Sequence, residues 1–443
     1  MDPAGDKMKR YVRALGVVCF LLVSLINLRA QDQSKPLSFR AAVELALRNS
    51  AATAISQADW DRARATIQQT RDVYIPQVTV GAALGYSNGF PLSLENAAPS
   101  VFNVNVQGYL FNLAQRQYIR AAKSDAETTA ARNADRRNEL IMEVALDYIQ
   151  LDILESSLSI QTEQSDASAK LEDTVLQRVE AGLDSQVELK RAKLVVARTR
   201  LDIAQTHTAA DELRRRLSQL TGLPESAIQT STESIPQLPT VSQDDDLASE
   251  AVANNPTVKQ AFSIANTKDF KAAAEHKLLY PSLDLAGQYA VLARFNNYNE
   301  FFLRFQRNNL SIGGVIRFPI FNRPQKDAAN VARFDAFKAR QEARNVKEQV
   351  NAETLRMQRS IQQLMAARDV AQLEHQISQS DIDTAHEKIE AGSGSLKDEE
   401  NARVLEHEHY TSYLSATFDL DKAQVQLLRQ IGELENWALG PKH

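Results

Sequence analysis

Helix-breaking residues are missing from long stretches of this chain. No proline occurs between Pro99 and Pro224, and no glycine between Gly108 and Gly182. Inside a helix, proline costs about 3 kcal/mol and glycine about 1 kcal/mol relative to alanine. Their absence excludes a loop-rich scaffold there and leaves room for a very long helix. Aromatic residues make up only 7% of the chain, with 15 glycines in 443 residues, too few for a β-sandwich or an enzyme assembled from many loops. The single cysteine, Cys19, excludes an internal disulfide, so stability must come from packing or assembly. A formal charge of −5 offers no case for nucleic-acid binding. The most apolar run, Ala14 to Ile26, has 13 residues. That is short of the roughly 20 needed for a membrane-spanning helix.

What is present begins with an export signal. Lys7, Lys9, Arg10 and Arg13 precede the apolar run, and Ala30 offers a small residue for cleavage before Gln31. Residues 1–30 are therefore expected to be a signal peptide, with Met8 an alternative start. Cys19 does not lie at a cleavage junction, so a lipoprotein signal does not fit.

The remaining sequence is written twice. "YIPQVTV" (74–80) parallels "LYPSLDL" (279–285); Asn49 and Asn254 are 205 positions apart, as are Pro76 and Pro281. Farther on the offset is 210: "LFN" (110–112) matches "IFN" (320–322), and "VEAG" (179–182) matches "IEAG" (389–392). Leu217 and Gly222 match Leu427 and Gly432 at that same offset of 210. The expected organisation is a first repeat over 31–224, a polar, proline-containing linker over 225–246 and a second repeat over 247–440. Each repeat opens with a helix ending at a proline, Phe39 to Tyr74 and Val258 to Tyr280. Two strand-like runs follow, then a long helix broken once.

The strand-like runs alternate with the period of a half-buried strand. Phe102, Val104, Val106 and Leu110 fall on one face, with Asn103, Asn105 and Gln107 on the other. Val78, Val80, Ala82, Leu84 and Tyr86 alternate likewise, as do Leu283, Leu285, Tyr289 and Val291, and Leu310, Ile312, Ile316 and Phe318. A sheet packed on helices would give this pattern. So would strands crossing lipid, since about ten residues is the reach of a tilted barrel strand. Four strands cannot close a barrel, and an open edge inside lipid is forbidden, so several chains would have to share one. Three copies would supply twelve strands. On the helices, Leu194, Ala197, Leu201, Ala204 and Thr208 form one ladder. Tyr410, Tyr413, Thr417, Leu420, Gln424, Leu427, Ile431 and Leu434 form another, at coiled-coil spacing.

Together these features resemble the outer-membrane efflux channel family typified by TolC. The resemblance runs from "LSFRAAVELALRNS" (37–50) to "LLRQIGELENW" (427–437) and is most specific in "YIPQVTV", "AGLDSQVELKRA" and "LSQLTGLP". It implies a mainly α fold with a small membrane β-barrel, in which a homotrimer forms a 12-stranded barrel and a 12-helix tunnel. It also implies an outer-membrane location, with the tunnel in the periplasm. The function implied is a passive export duct, fed by a periplasmic adaptor and, indirectly, by an inner-membrane pump.

The resemblance makes Gly182 and Gly392 the turns where the long helices fold back, at tips that dock the adaptor. Gly182, Leu183, Ser185 and Glu188 match the family's first tip, with Glu188 in place of aspartate. Gly392 and Ser395 match the second tip, where Ser393 replaces leucine. Asp398 and Asn401 are expected at the tip constriction, with Asn401 in place of an acid. Threefold symmetry would gather three Asp398 carboxylates and recruit cations.

A periplasmic or secreted coiled-coil scaffold without a channel is the alternative function, although it has no use for strands of lipid-spanning length. Neither catalysis, a cofactor nor a metal is expected, because no constellation for them appears. His407 and His409 lie about 200° apart around a helix and cannot chelate one ion together; a solvated face is expected for both. "QDDD" (243–246) reads as an acidic helix start. The aromatic loop "RFNNYNEFFLRFQR" (294–307) reads as a candidate interfacial belt against outer-membrane lipid.

Overall fold

The computed structural model describes residues 36–82, 100–241, 246–292, 308–391, 393–394 and 396–440. Chain order begins with α1 (Phe39–Asn49), α2 (Ala51–Asp72), β1 (Gln77–Gly81), β2 (Ser100–Phe111), α3 (Leu113–Glu180) and α4 (Gln186–Thr221). The second half has α5 (Leu247–Asn254), α6 (Pro256–Lys277), β3 (Ser282–Leu292), β4 (Asn308–Arg317), α7 (Arg323–Glu390), α8 (Leu396–Ile431) and the short α9 (Leu434–Leu439). Helices α3 and α7 are both 68 residues long, and α4 and α8 both 36. At 1.5 Å per residue each longer helix runs about 100 Å. No described helix is long and apolar enough to cross a membrane.

The stops and starts have local causes that recur between the halves. Asn112 accepts a hydrogen bond from the Gln115 amide at 3.1 Å and opens α3; Asn322 does the same for Gln325 at 3.1 Å and opens α7. Gly222 and Gly432 take positive φ (76° and 82°) where α4 and α8 end, a conformation open to glycine at little cost.

The opening helix expected over Phe39 to Tyr74 is in fact two, whereas that expected over Val258 to Tyr280 is the single helix α6, preceded by the short α5. Ser50 leaves helical geometry and accepts from the Ala52 amide, separating α1 from α2. Asn255 accepts from Thr257 and Val258 and, with Pro256 in the first turn, separates α5 from α6. In each case a side chain that satisfies free helix-start amides competes with continuing the helix.

The chain gathers into two compact units. One combines the described residues up to 46 with 144–237. Its centre is Tyr148, fully buried, with the Phe39 ring edge-on at 5.5 Å. The Tyr148 hydroxyl donates to the Leu37 carbonyl at 2.5 Å and accepts from the Ser231 amide at 2.8 Å. Burial raises its pKa, and the Ser234 and Ser231 hydrogen bonds partly oppose that. Glu155 accepts from Arg214 at 2.8 Å and from the Thr230 hydroxyl at 2.8 Å, fastening the segment after α4 to α3.

The other unit holds 47–143 and 238–440. Small residues bring α6 and α7 together at Ala265, Ala339 and Ala343. Ion pairs Arg136–Asp59 (2.6 Å), Arg429–Asp135 (3.0 Å) and Arg137–Glu435 (2.8 Å) join α3 to α2, α8 and α9. Gln362 and Gln424 donate to the carbonyls of Val241 and Pro239, laying the end of the linker along α7 and α8.

This unit carries one antiparallel sheet in the order β1-β2-β3-β4. Among the described residues, β1 and β4 each have one unpaired edge. Register places Val80, Val104, Tyr289 and Leu310 in one row, and Val78, Val106, Gly287 and Ile312 in the next. The opposite face carries Thr79, Asn105, Gln288 and Ser311, then Gln77, Gln107, Ala286 and Gly313. The apolar side chains on the edge strands are uncovered, Val80 at 66% and Ile312 at 73% exposure. Leu84 and Tyr86 of the expected first strand, and the aromatic loop 294–307, lie outside the described residues.

The two helix ladders fare differently within the chain. Leu194, Ala197, Leu201, Ala204 and Thr208 are all exposed on α4; Leu189, Ala192 and Val196 are buried instead. Both stripes have helical period, and spacing cannot tell which one meets a partner within the chain. On α8, Leu420, Gln424, Leu427 and Ile431 are buried as a seam. Leu434, assigned to the same ladder, lies beyond the break at Gly432 and begins α9.

Candidate functional site

The first turn, between α3 and α4, is built by its own backbone. The Leu183 amide donates to the Arg178 carbonyl at 2.8 Å and the Asp184 amide to the same carbonyl at 3.3 Å. Gly182 supplies φ 72°, with open space where a Cβ would stand. Arg178 grips Asp184 through Nε (2.7 Å) and Nη2 (3.2 Å), and this hydrogen-bonded cation holds the Asp184 carboxyl below its usual range. Ser185 caps α4 by accepting from the Glu188 amide at 3.3 Å, and Glu188 pairs with Arg191 at 2.9 Å. Leu183, at 70% exposure, is thus an apolar side chain presented on a braced turn.

The second turn repeats the backbone hydrogen bonds without the ionic brace. Ser393 and Gly394 amides both donate to the Lys388 carbonyl, at 2.9 and 2.8 Å. These are the Leu183 and Asp184 bonds moved by 210 positions. Gly394 stands where Asp184 stands in the first turn; a Cβ on it would lie 2.9 Å from Lys388 and Ile389 backbone atoms. Gly392 and Ser395, expected at this tip, lie outside the described residues. Asp398 is exposed in the first turn of α8. Asn401 occupies the place that Arg191 holds in the first hairpin.

Sequence reading missed a polar seam between α7 and α8. His375 Nε2 meets Glu406 Oε1 at 3.0 Å, with both side chains largely buried. Tyr413 stacks on that imidazole at 6.0 Å, and Tyr410 tilts against it at 5.1 Å. Burial, Glu406 and Tyr413 raise the Tyr410 pKa. Glu399 pairs with Arg403 at 2.7 Å and approaches His386 at 3.6 Å. His409 faces Glu374 at 3.6 Å, so the solvated face expected for it is a helix contact. At the same offset of 210, Glu399 and Glu406 replace the first hairpin's buried Leu189 and Val196. That substitution of charge for leucine and valine was the signal available in the sequence. Farther along α8, burial pushes the Asp421 carboxyl up to about 6, opposed by Arg368. Of the acidic run 243–246, Asp246 accepts from the Ser249 amide at 3.3 Å and caps α5. No cluster of three or more His, Cys, Asp or Glu side chains among the described residues could hold a metal.

Two long helical hairpins and a four-stranded sheet with one apolar and one polar face also occur together in solved structures of outer-membrane channels. CusC, studied for transmembrane channel formation, is 16% identical over 90% of this chain and 92% of its own, with a TM-score of 0.76. The outer membrane protein VceC of Vibrio cholerae is 17% identical over 89% and 96% of the two chains, with a TM-score of 0.73. The CmeC outer membrane channel of Campylobacter jejuni is 16% identical over 89% and 86%, at 0.76. At such identities the likeness establishes the fold. No curated protein sequence matches the chain. Residues 42–223 match the profile of the Outer membrane efflux protein family. That match over residues 42–223 agrees with the resemblance read from the sequence.

Proposed function

We propose that three copies of this chain form an export duct in the outer membrane, passing cargo delivered by a periplasmic adaptor and an inner-membrane pump. The observation that carries the reading is the sheet: one apolar face, one amide-rich face and two open edges. Pairing β4 of one copy with β1 of the next would satisfy both edges and close a twelve-stranded barrel, the apolar face toward lipid and the amides toward water. The exposed stripe from Leu194 to Thr208 on α4 supports the same assembly, since a neighbouring copy would bury it. The duct is passive in this reading, because the sequence contains no nucleotide-binding motif. Repeats 31–224 and 247–440 would each contribute two strands and one hairpin, joined by 225–246. The turns at Gly182–Glu188 and Gly392–Ser395 would dock the adaptor, with Asp398 and Asn401 at the constriction.

Cross-linking the protein in outer-membrane vesicles tests the assembly. The expected ladder stops at the trimer, and a cysteine pair placed on β1 and β4 should link different copies. Monomers that form pores alone would overturn the reading.

A further inference from the structure

Where the sheet meets the helices, a cleft of about 260 Å³ opens between the end of α6 and the end of β4. Lys277, Arg317, Asn112, Ser282 and Tyr280 line it together with Phe318, and among the described residues no carboxylate does. Register sets Ser282 and Arg317 side by side on the polar face of the sheet. The neighbouring row of that face carries Asp284, and the rows beyond it are uncharged, so the cleft stands at the margin of an amide-lined surface. Asp284 pairs with Arg317 Nε at 3.1 Å, while the Arg317 side chain as a whole stays 72% exposed. The terminal guanidinium nitrogens of Arg317 and the Lys277 ammonium therefore add to the hydroxyl and amide donors of the cleft. Lys277 also sits in the last turn of α6, where a cation suits the helix dipole; that alone would not require a second cation and a cavity beside it.

We propose that this cleft binds an anionic group, a carboxylate or phosphate of small size, on solutes moving along the polar face. Two cations of different geometry suit such a ligand: the planar guanidinium fork orients it, and the ammonium adds a point charge. That the ligand is cargo rests on the duct reading above; the anion site itself does not. In a trimer three such clefts would form a cationic ring at the inner end of the barrel, making anions the preferred cargo there.

Inorganic phosphate and benzoate are the probes, added to detergent-solubilised full-length protein against chloride at matched ionic strength. Each should raise the melting temperature, and Lys277→Gln should weaken the apparent affinity about tenfold. Lys277→Gln leaves the Asp284–Arg317 pair in place, so it avoids the folding risk of Arg317→Gln. Equal binding by the variant, or no binding by the native protein, overturns the site. Protection by phosphatidylglycerol vesicles but by neither dissolved anion would overturn the cargo assignment in favour of a lipid headgroup. In planar bilayers Lys277→Gln should shift the reversal potential toward cations. Absence of any conductance from native protein would sink the duct reading while the melting experiment still decides the site; conductance with an unchanged reversal potential would overturn the ring.

Discussion

Asp421 combines burial with a charge. Its carboxyl is raised from 3.8 to about 6, so the folded chain favours the protonated form. The associated stability is fully present below 3.8 and is lost as the pH rises through about 6. Asp421→Asn removes the burden of the buried charge and should stabilise the protein at pH 7.5 by at most about 3 kcal/mol. Little change is expected near pH 4. Melting curves at the two pH values check this; an equal shift at both would rule out the ionisation as cause. Asp398 offers a second test at this scale. A ring of three Asp398 carboxylates would favour cations at the constriction. Single-channel recordings of Asp398→Ala should show weaker cation selectivity or higher conductance, and identical currents would remove Asp398 from the gate.

The two hairpins share their lengths and turn hydrogen bonds but differ in how they are held. The first has an apolar seam at Leu189 and Val196 and an Arg178–Asp184 clamp across its turn. The second places His–Glu pairs at those seam positions and a glycine opposite Lys388. If the turns dock an adaptor, the exposed Leu183 is the apolar contact of the first one. Replacing Gly182 and Leu183 with bulky charged residues should abolish export in cells while trimers still reach the outer membrane. Native export levels in that double variant would remove this turn from the docking surface. Much of this level was legible in advance. The proline-free stretches and the repeated glycines act within a few residues, and local chemistry decides them. The break at Ser50 escaped because a capping side chain in a helix-rich context is a small local signal.

For the whole molecule, the sequence by itself determined the helical mass, the doubled order of elements, the alternating strands and the family resemblance. These follow from periodicity and from residues that stop or start helices, all short-range effects. Only the tertiary structure decided which face of each element has a partner within the chain. It left the Leu194–Thr208 stripe exposed and buried Leu189 and Val196, although both patterns have the same period. It aligned Asn105 with Gln288 and Ser311, and set Lys277 beside Arg317 from elements 40 residues apart in sequence. It paired His375 with Glu406 across two helices. Each of these depends on strand register or helix rotation, which the summed packing of the fold sets and no local run of residues encodes.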